Sequence, residues 1–402
     1  MSLVGDAVSW PALTYEEQPW RTSDDVPMSR SARRRAKGPY LAAIVPEIRT
    51  CTPQLPPETV SVAEEAATEI SRFDAELGHE IAPFAAILLR SESAASSKIE
   101  NLTASAGAIA QAELTGHGGG NASLIVSNER AMRAALELAG QIDGETILHM
   151  HEALLGPTQP DIAGRWRDQQ VWIGGSDASP HAAMFVPPRH ERVSEAIEDL
   201  IGFIDRDDLP VLAQAALAHA QFETIHPFPD GNGRTGRALI HAELRNKRLT
   251  RNVTVPVSAG LLGDTDAYFG ALTAYRHGDA VPIVDQLAAA AFAAVANGRQ
   301  LVDELRTVRA GWTDLVSTRR GSNTWRIADL LLRHPVVNAR LIATQTGIAP
   351  QNTYRALTPL VDAGVVVEFS DKKRNQMWRS PDVLGALDAF AARAGRQRRA
   401  SG

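Results

Sequence analysis

Apolar residues recur at three- and four-residue steps through most of the chain. Val60, Ala63, Ala67, Ile70, Phe73 and Leu77 mark one face of an amphipathic helix within residues 60–90. The same period predicts helices over 124–141, 191–206, 212–225, 234–249 and 283–318. Strand-like patterns are few. The best is RWRDQQVWI at 165–173, followed by the turn cluster GGSDASP and then AMFVPP, which predicts a β-hairpin closed by Pro187 and Pro188. The expected fold class is mainly α, with a helical core over residues 50–300 and one hairpin.

After the turn-rich RRGSNT at 319–324 the texture changes. Short helices over 325–334, 338–346 and 350–362 stop before Pro335, Gly347 and Gly364. VVVEFSDKKRNQMWRS then reads as two strands around a charged turn. Three short helices followed by a hairpin is the winged helix-turn-helix order. The tail RAGRQRRASG at 393–402 reads as a disordered basic end.

Composition narrows the function. With 402 residues, 44% hydrophobic and 22% charged, the chain is an ordinary globular protein, which excludes collagen, coiled coil and wholesale disorder. A net charge of −6 leaves no global basic field for nucleic acid, so any such contact is a local patch. The single cysteine, Cys51, rules out an intramolecular disulfide, a CxxC pair and a cysteine-built zinc site. No apolar run is expected to reach the ~18 residues that span a bilayer, and Ala-rich 286–297 reads as a packed helix. Met1 is followed by no basic and apolar leader, so the expected compartment is the cytoplasm, with no membrane partner.

The chemistry concentrates in IHPFPDGNGRTGR, residues 225–237. Gly231, Gly233 and Gly236 spell GxGxxG, but an Ala/Leu helix precedes them where a dinucleotide turn needs a strand. Walker A spacing fails at Arg237 and Ala238, which stand where Lys and Ser/Thr are required. An EF-hand opened by Asp230 and Asn232 fails at Arg234, Thr235 and His241. HEALL at 151–155 lacks the second histidine of a zinc protease, and His149 and His151 cannot share a helical face. What remains is an anion cradle. Gly231-Asn232-Gly233 frees backbone N–H groups ahead of a helix, where the macrodipole favours phosphate. Arg234 and Arg237 lie three apart and fork to one side. Asp230 is a hard ligand of the kind Mg²⁺ uses between phosphates, and His226 is the residue type suited to taking a proton near neutral pH. His219 and Glu223, four apart on the preceding helix, read as a structural pair, and RSARRRAKG at 30–38 as a solvated basic segment.

HPFPDGNGRTGR resembles the HPFx(D/E)GNGRxxR motif of Fic-domain proteins at every specified position. LHMHEALL at 148–155, GRWRDQQVWIGG at 164–175, FVPP at 185–188 and FETI before His226 follow in the family's order, so the resemblance covers roughly residues 30–300. It implies an all-α core that transfers AMP from ATP to a Ser, Thr or Tyr hydroxyl of a target protein, releasing pyrophosphate. The target could be the chain itself. His226 would deprotonate that hydroxyl, and Asp230 would hold Mg²⁺ (or Mn²⁺) against the α- and β-phosphates. Gly231, Asn232 and Gly233 would cradle the phosphates, with Arg234 on the β- and Arg237 on the γ-phosphate. Phe228 would pack into the core. The GNG form looks like the AMP-transferring branch, not the phosphotransferring Doc type. The hairpin at 171–188 would be a flap that aligns the target by strand addition, with Met184 and Phe185 as clamps or as buried hairpin residues.

SSKIEN at 96–101 resembles the family's (S/T)xxxE(G/N) inhibitory helix, with Ser96, Glu100 and Asn101 at the specified positions. The resemblance implies that Glu100 pairs with Arg237 and turns ATP away from in-line attack. It divides the chain into an N-terminal helical segment carrying the inhibitory helix (1–110), a catalytic core (111–300), a helical linker (301–320), a winged helix-turn-helix domain (321–392) and a basic tail (393–402). The last domain offers Gln351, Asn352, Thr353 and Arg355 on its recognition helix, and Lys372, Lys373, Arg374 and Arg379 on its wing. DNA binding, protein docking and homodimerisation through it are left open. Two other readings of the whole chain stand beside AMP transfer: removal of AMP with Glu100 aligning water, and a nucleotide-sensing DNA-binding regulator.

Overall fold

We describe residues 10–21, 29–78, 81–116, 118–175, 178–369 and 376–395 of a computed structural model. Strands β1 (Thr14–Gln18) and β2 (Tyr40–Ile44) flank helix α1 (Arg30–Arg35) and pair antiparallel, from Thr14↔Ile44 to Gln18↔Tyr40. There follow α2 (Pro57–Glu76), α3 (Ile81–Ile99), α4 (Ala106–Thr115), α5 (Asn121–Glu137), α6 (Gly144–Leu155) and α7 (Val193–Ile204). Next come α8 (Val211–Ile225), α9 (Asn232–Asn246), α10 (Val257–Leu261), α11 (Thr265–Arg276) and α12 (Val281–Leu315). The remainder is α13 (Asn323–Leu331), β3 (Val336–Asn338), α14 (Ala339–Thr346), α15 (Pro350–Asp362), β4 (Val367–Glu368), β5 (Met377–Arg379) and α16 (Pro381–Ala394). The three short strands form an antiparallel sheet in the order β3-β5-β4.

Mainly helical structure is thus as expected, with three departures. The helix within 60–90 is two, α2 and α3, interrupted after Glu76 where Gly78 follows. Among the described residues, the hairpin expected at 165–188 pairs only at one isolated bridge, Ile173↔Phe185. The reason is side-chain capture of the carbonyls a ladder would need. Gln170 Nε2 donates to Pro187 O at 2.9 Å, and the Arg167 guanidinium donates to Pro188 O. The antiparallel pair β1–β2 lies where no alternation announced it, and α16 occupies the end of the expected winged domain and the start of the expected tail. The tail residues 396–402 and the wing residues Lys372, Lys373 and Arg374 lie outside the described residues. Third, α12 is long and apolar enough to cross a bilayer by length and composition, contrary to the expected absence of such a run. Half of that window is buried in the protein, and a core helix meets the same test.

The described chain forms two compact units, and of their five boundaries three fall within α2, α5 and α12, one just after α9 and one at the start of α11. One comprises Met1–Glu64, Ala134–Lys247 and Asp266–Leu287. Its centre is α8, buried along its length from Leu212 to Ile225. The apolar residues of AQAALAHAQF lie all round the helix, which is the signature of a core helix and lets α7 and α9 pack against it closely. A Cβ added at Gly236 of α9 would sit 2.9 Å from Phe222 Cδ1 and 3.2 Å from His219 Nδ1, so the third glycine of the motif is there for helix contact.

The other unit comprises Glu65–Arg133, Arg248–Thr265 and Ala288–Gly402. Buried Asp74 at the end of α2 accepts the N–H groups of Arg251, Asn252 and Val253 at 3.1, 2.8 and 2.8 Å. Buried Glu92 of α3 caps α10 through Ser258 N and Oγ, at 2.8 and 2.5 Å. Helix α16 packs on α3 and α4, and α13, α14 and α15 pack on one another.

Candidate active site

Helix α8 ends at His226, which holds the left-handed conformation (φ 50°, ψ 62°) while its N–H closes the last turn on Phe222 O at 2.9 Å. A non-glycine residue there is strained, and the strain must be held by its surroundings. Arg167 does this. It is 3% exposed, its Nε donates to His226 O at 2.9 Å, and its guanidinium also reaches Ile225 O, Gln169 O and Pro188 O. Its backbone N–H binds Pro227 O at 2.9 Å. One side chain therefore ties the end of α8 to both ends of the flap segment.

Beyond His226 the loop is fixed from inside. Phe228 is fully buried and stacks on His151 with ring centres 3.6 Å apart, with Trp166 at 5.1 Å. His151 Nδ1 accepts the Gly164 N–H at 3.1 Å, so Nε2 carries the proton and donates to Asp230 O at 3.0 Å. Asn232 uses its amide on the Phe228 backbone, accepting from N and donating to O at 2.8 Å each. Its side chain is thus structural, and only its N–H can serve an anion. Gly231 is the N-cap of α9 at φ 79° with Leu154 against it, so a side chain there would be strained and crowded.

The Asp230 carboxylate is oriented and still half exposed. Oδ1 accepts from Gly231 N at 2.6 Å and faces Arg234 at 3.5 Å, and Oδ2 accepts from Gln159 Nε2 at 2.9 Å. Among the described residues no cluster of three or more His, Cys, Asp or Glu could cage a metal. One aligned carboxylate beside a phosphate cradle fits Mg²⁺, which keeps waters and substrate phosphates as its other ligands. Gly231 spends its N–H on Asp230, so the N–H groups available at the start of α9 begin at Asn232 and Gly233. Arg234 and Arg237 follow on α9, 4% and 2% exposed.

Burial and positive charge keep His226, His219 and His151 neutral. His226 falls to about 3 through burial and then the Arg167 and Arg276 guanidiniums, and its Nδ1 is buried without a hydrogen bond. His219, bonded to Tyr268 Oη at 2.7 Å, falls to about 3 through burial and then Arg237. His151 falls to about 4, chiefly through burial. These folded values lie below that of an unfolded imidazole, so the unfolded chain binds more protons between about pH 4 and 6.5. Stability is then complete above pH 6.5 and falls as the pH drops through that window. His219→Gln should reduce the slope of unfolding free energy against pH near pH 5 by about 1.4 kcal/mol per unit, one proton's worth. An unchanged slope would show that His219 is protonated in the fold.

Of the flap residues, Phe185 is 6% exposed with the Arg276 guanidinium 3.8 Å above its ring, whereas Met184 is 87% exposed. The segment is seated on the N-terminal hairpin: Val186 O accepts from Ala43 N at 3.1 Å, and Trp20 meets Trp172 edge-on at 5.7 Å.

The motif at 96–101 has a clear local form. Ser96 is fully buried near the end of α3. Asn101 N bonds Lys98 O and Leu102 N bonds Ser97 O, both at 3.0 Å, with Asn101 left-handed at φ 62°. This is a Schellman stop in which Glu100 is the C-cap. It explains why glycine or asparagine follows the glutamate: that position must take a positive φ.

Comparison with known proteins agrees with this geometry. Residues 141–244 match the Fic/DOC family. The chain is similar to protein adenylyltransferase fic-1 of Caenorhabditis elegans, 36% identical over 104 residues, which are 25% of this chain and 19% of the relative. It is also similar to protein adenylyltransferase Fic of Nematostella vectensis, 34% identical over 140 residues, covering 35% and 30% of the two chains. The chain thus spans under a third of the length of these curated relatives. Its fold is that of a Fic family protein from Desulfovibrio desulfuricans G20, with a TM-score of 0.53 at 23% identity over 81% of this chain and 97% of the other.

Three site residues escaped the sequence reading. Arg167 and Trp166 sat inside an apparent strand, and His151 was weighed only as a metal ligand. The one usable signal was the isolated RWR between turns.

Proposed function

We propose that the chain is a self-inhibited protein adenylyltransferase. It would move AMP from ATP to a Ser, Thr or Tyr hydroxyl of a target protein, itself included, and release pyrophosphate. The observation that carries this reading is the loop 226–237, which joins a neutral imidazole, an oriented exposed carboxylate, a helix N-terminus and two arginines. His226 accepts the hydroxyl proton through the ring nitrogen that is not buried. The freed oxygen bonds to the α-phosphorus as the bond to the pyrophosphate oxygen breaks, and that oxygen leaves with the electron pair. Asn232 and Gly233 N–H, Arg234 and Arg237 hold the polyphosphate. Asp230 is the residue to hold Mg²⁺ or Mn²⁺, which when bound offsets charge on the α- and β-phosphates. Met184, 87% exposed beside a seated flap, suits contact with an extended target segment.

The test uses ATP labelled at the α- or the γ-phosphate, Mg²⁺ and cell lysate, with the wild-type and Glu100→Gly chains. Label from the α- but not the γ-position should appear on protein. Label from the γ-position would replace AMP transfer with phosphotransfer. Asp230→Ala should abolish the Mg²⁺ dependence of ATP affinity, and retained dependence would remove Asp230 from that role.

The C-terminal elements α13 to β5 support a winged helix-turn-helix that docks protein. Of the residues expected at base edges, Thr353 is fully buried while Gln351, Asn352 and Arg355 are exposed, and Arg355 is the one cation on α15. Tyr354 is 48% exposed on the same helix. The full chain should therefore bind duplex DNA no better than albumin does at about 50 mM salt, and saturable, salt-steep binding would reverse the assignment.

A further inference from the structure

Helix α3 carries a stripe of small and polar residues, Ser91, Ala94, Ala95 and Lys98, at the three- and four-residue spacing of one face. That face does not pack solidly. It lines a cavity of about 180 Å³ closed by Ile109 of α4 and Phe390 of α16. Alanines supply much of the wall, which is why the space stays unfilled. The volume is that of a single-ring molecule, since an apolar cavity of about 150 Å³ accepts benzene.

Five polar residues interrupt the apolar lining, Arg90, Ser91, Lys98, Thr103 and Asp388, and the charge of buried Arg90 is already paired with Glu113 at 2.5 Å. Ser91 is 6% exposed, lies in the wall, and its Oγ has no hydrogen-bond partner. A buried hydroxyl left unbonded costs stability, and a ligand atom can repay it. Lys98 is two turns away on the same face, about 10 Å along the axis, and only half-buried. Asp388 and Thr103 lie exposed at the same rim. The deep end thus asks for a neutral hydrogen-bonding group, the middle for a hydrocarbon, and one side of the rim for an anion.

We propose that this cavity binds a small ring-bearing carboxylic acid with a hydroxyl at its far end. The hydroxyl bonds Ser91 Oγ, the ring fills the space between Ala95 and Phe390, and the carboxylate pairs with Lys98.

Titration calorimetry and NMR on the full chain, with three probes, test this. 4-Hydroxyphenylacetate has both groups, phenylacetate lacks the hydroxyl and 4-ethylphenol lacks the acid. The first should bind saturably and each of the others about five- to tenfold more weakly, one hydrogen bond or charge contact apart. Ser91→Ala should bring 4-hydroxyphenylacetate down to the affinity of phenylacetate, and Lys98→Gln down to that of 4-ethylphenol. Ala95→Leu, which fills the space, should lose binding while its melting temperature stays at or above that of the wild type. Absence of saturable binding by all three probes overturns the site. So does equal affinity for all three, or undiminished binding by Ala95→Leu. If Ala95→Leu melts low, the Ser91→Ala result decides alone, because removing an unbonded hydroxyl does not threaten the fold.

Discussion

His226→Ala should lower AMP transfer by about 10³-fold while ATP affinity stays within a few-fold, because the base acts on the target hydroxyl and not on the nucleotide. The geometry adds a second expectation. With its proton affinity lowered to about 3, chiefly by burial, His226 is neutral near pH 7, so the free protein should show no histidine titration near 6.5 at this residue. Such a weak base would transfer protons poorly, since efficiency peaks when the base titrates near the working pH. The nucleotide supplies the correction. Polyphosphate brings several negative charges to a site where burial, and then Arg167 and Arg276, hold the imidazole neutral, and a nearby negative charge raises a histidine. The ring should therefore titrate higher in the ATP complex than in the free chain, by NMR of the labelled histidine. Undiminished labelling by His226→Ala would remove it from the mechanism, and an unchanged titration on ATP binding would remove the charge coupling.

The loop 225–237 was legible because its residues act at short range. Asp230, the glycines and the two arginines sit on one loop and one helical turn, so spacing alone orders them. Arg167 was not, since its partners are carbonyls at 188, 225 and 226, and a long-range contact to backbone leaves no period in either segment. The same contacts explain the misread hairpin. RWRDQQVWI alternates because Trp166, Arg167 and Gln170 each have buried work to do, not because the segment joins a ladder. Strands β1 and β2 were missed for the opposite reason: TYEEQ is mostly exposed, and the adjacent Ala42 and Ala43 of β2 are both buried, so neither strand shows a clean alternation. Asn101 looked like part of a functional signature, and half of that signature is the physics of ending a helix.

On the competition with the γ-phosphate for Arg237 that the inhibitory-helix resemblance implies, Glu100→Gly should raise labelling of target or self by about ten- to a hundred-fold. A charge-assisted pair is worth on the order of 1.5–3 kcal/mol, and releasing it shifts the population of productive ATP by that factor. The substitution is a clean one. Glu100 is the C-cap of α3, and the stop itself rests on the positive-φ Asn101, which is left intact. Any gain therefore reports the lost carboxylate and not a melted helix, and an unchanged melting temperature checks this. Glu100→Gln keeps the shape and removes the charge, so it should recover most of the gain. The double variant Glu100→Gly, Arg237→Ala should lose it, because the released guanidinium is the group that grips the γ-phosphate. No activation in the single variants, or full activation without Arg237, would sink self-inhibition through this pair. If Glu100→Gly instead preserves AMP-modified protein that the wild type strips, Glu100 orients a hydrolytic water, and the same loop runs the reaction in the direction of AMP removal.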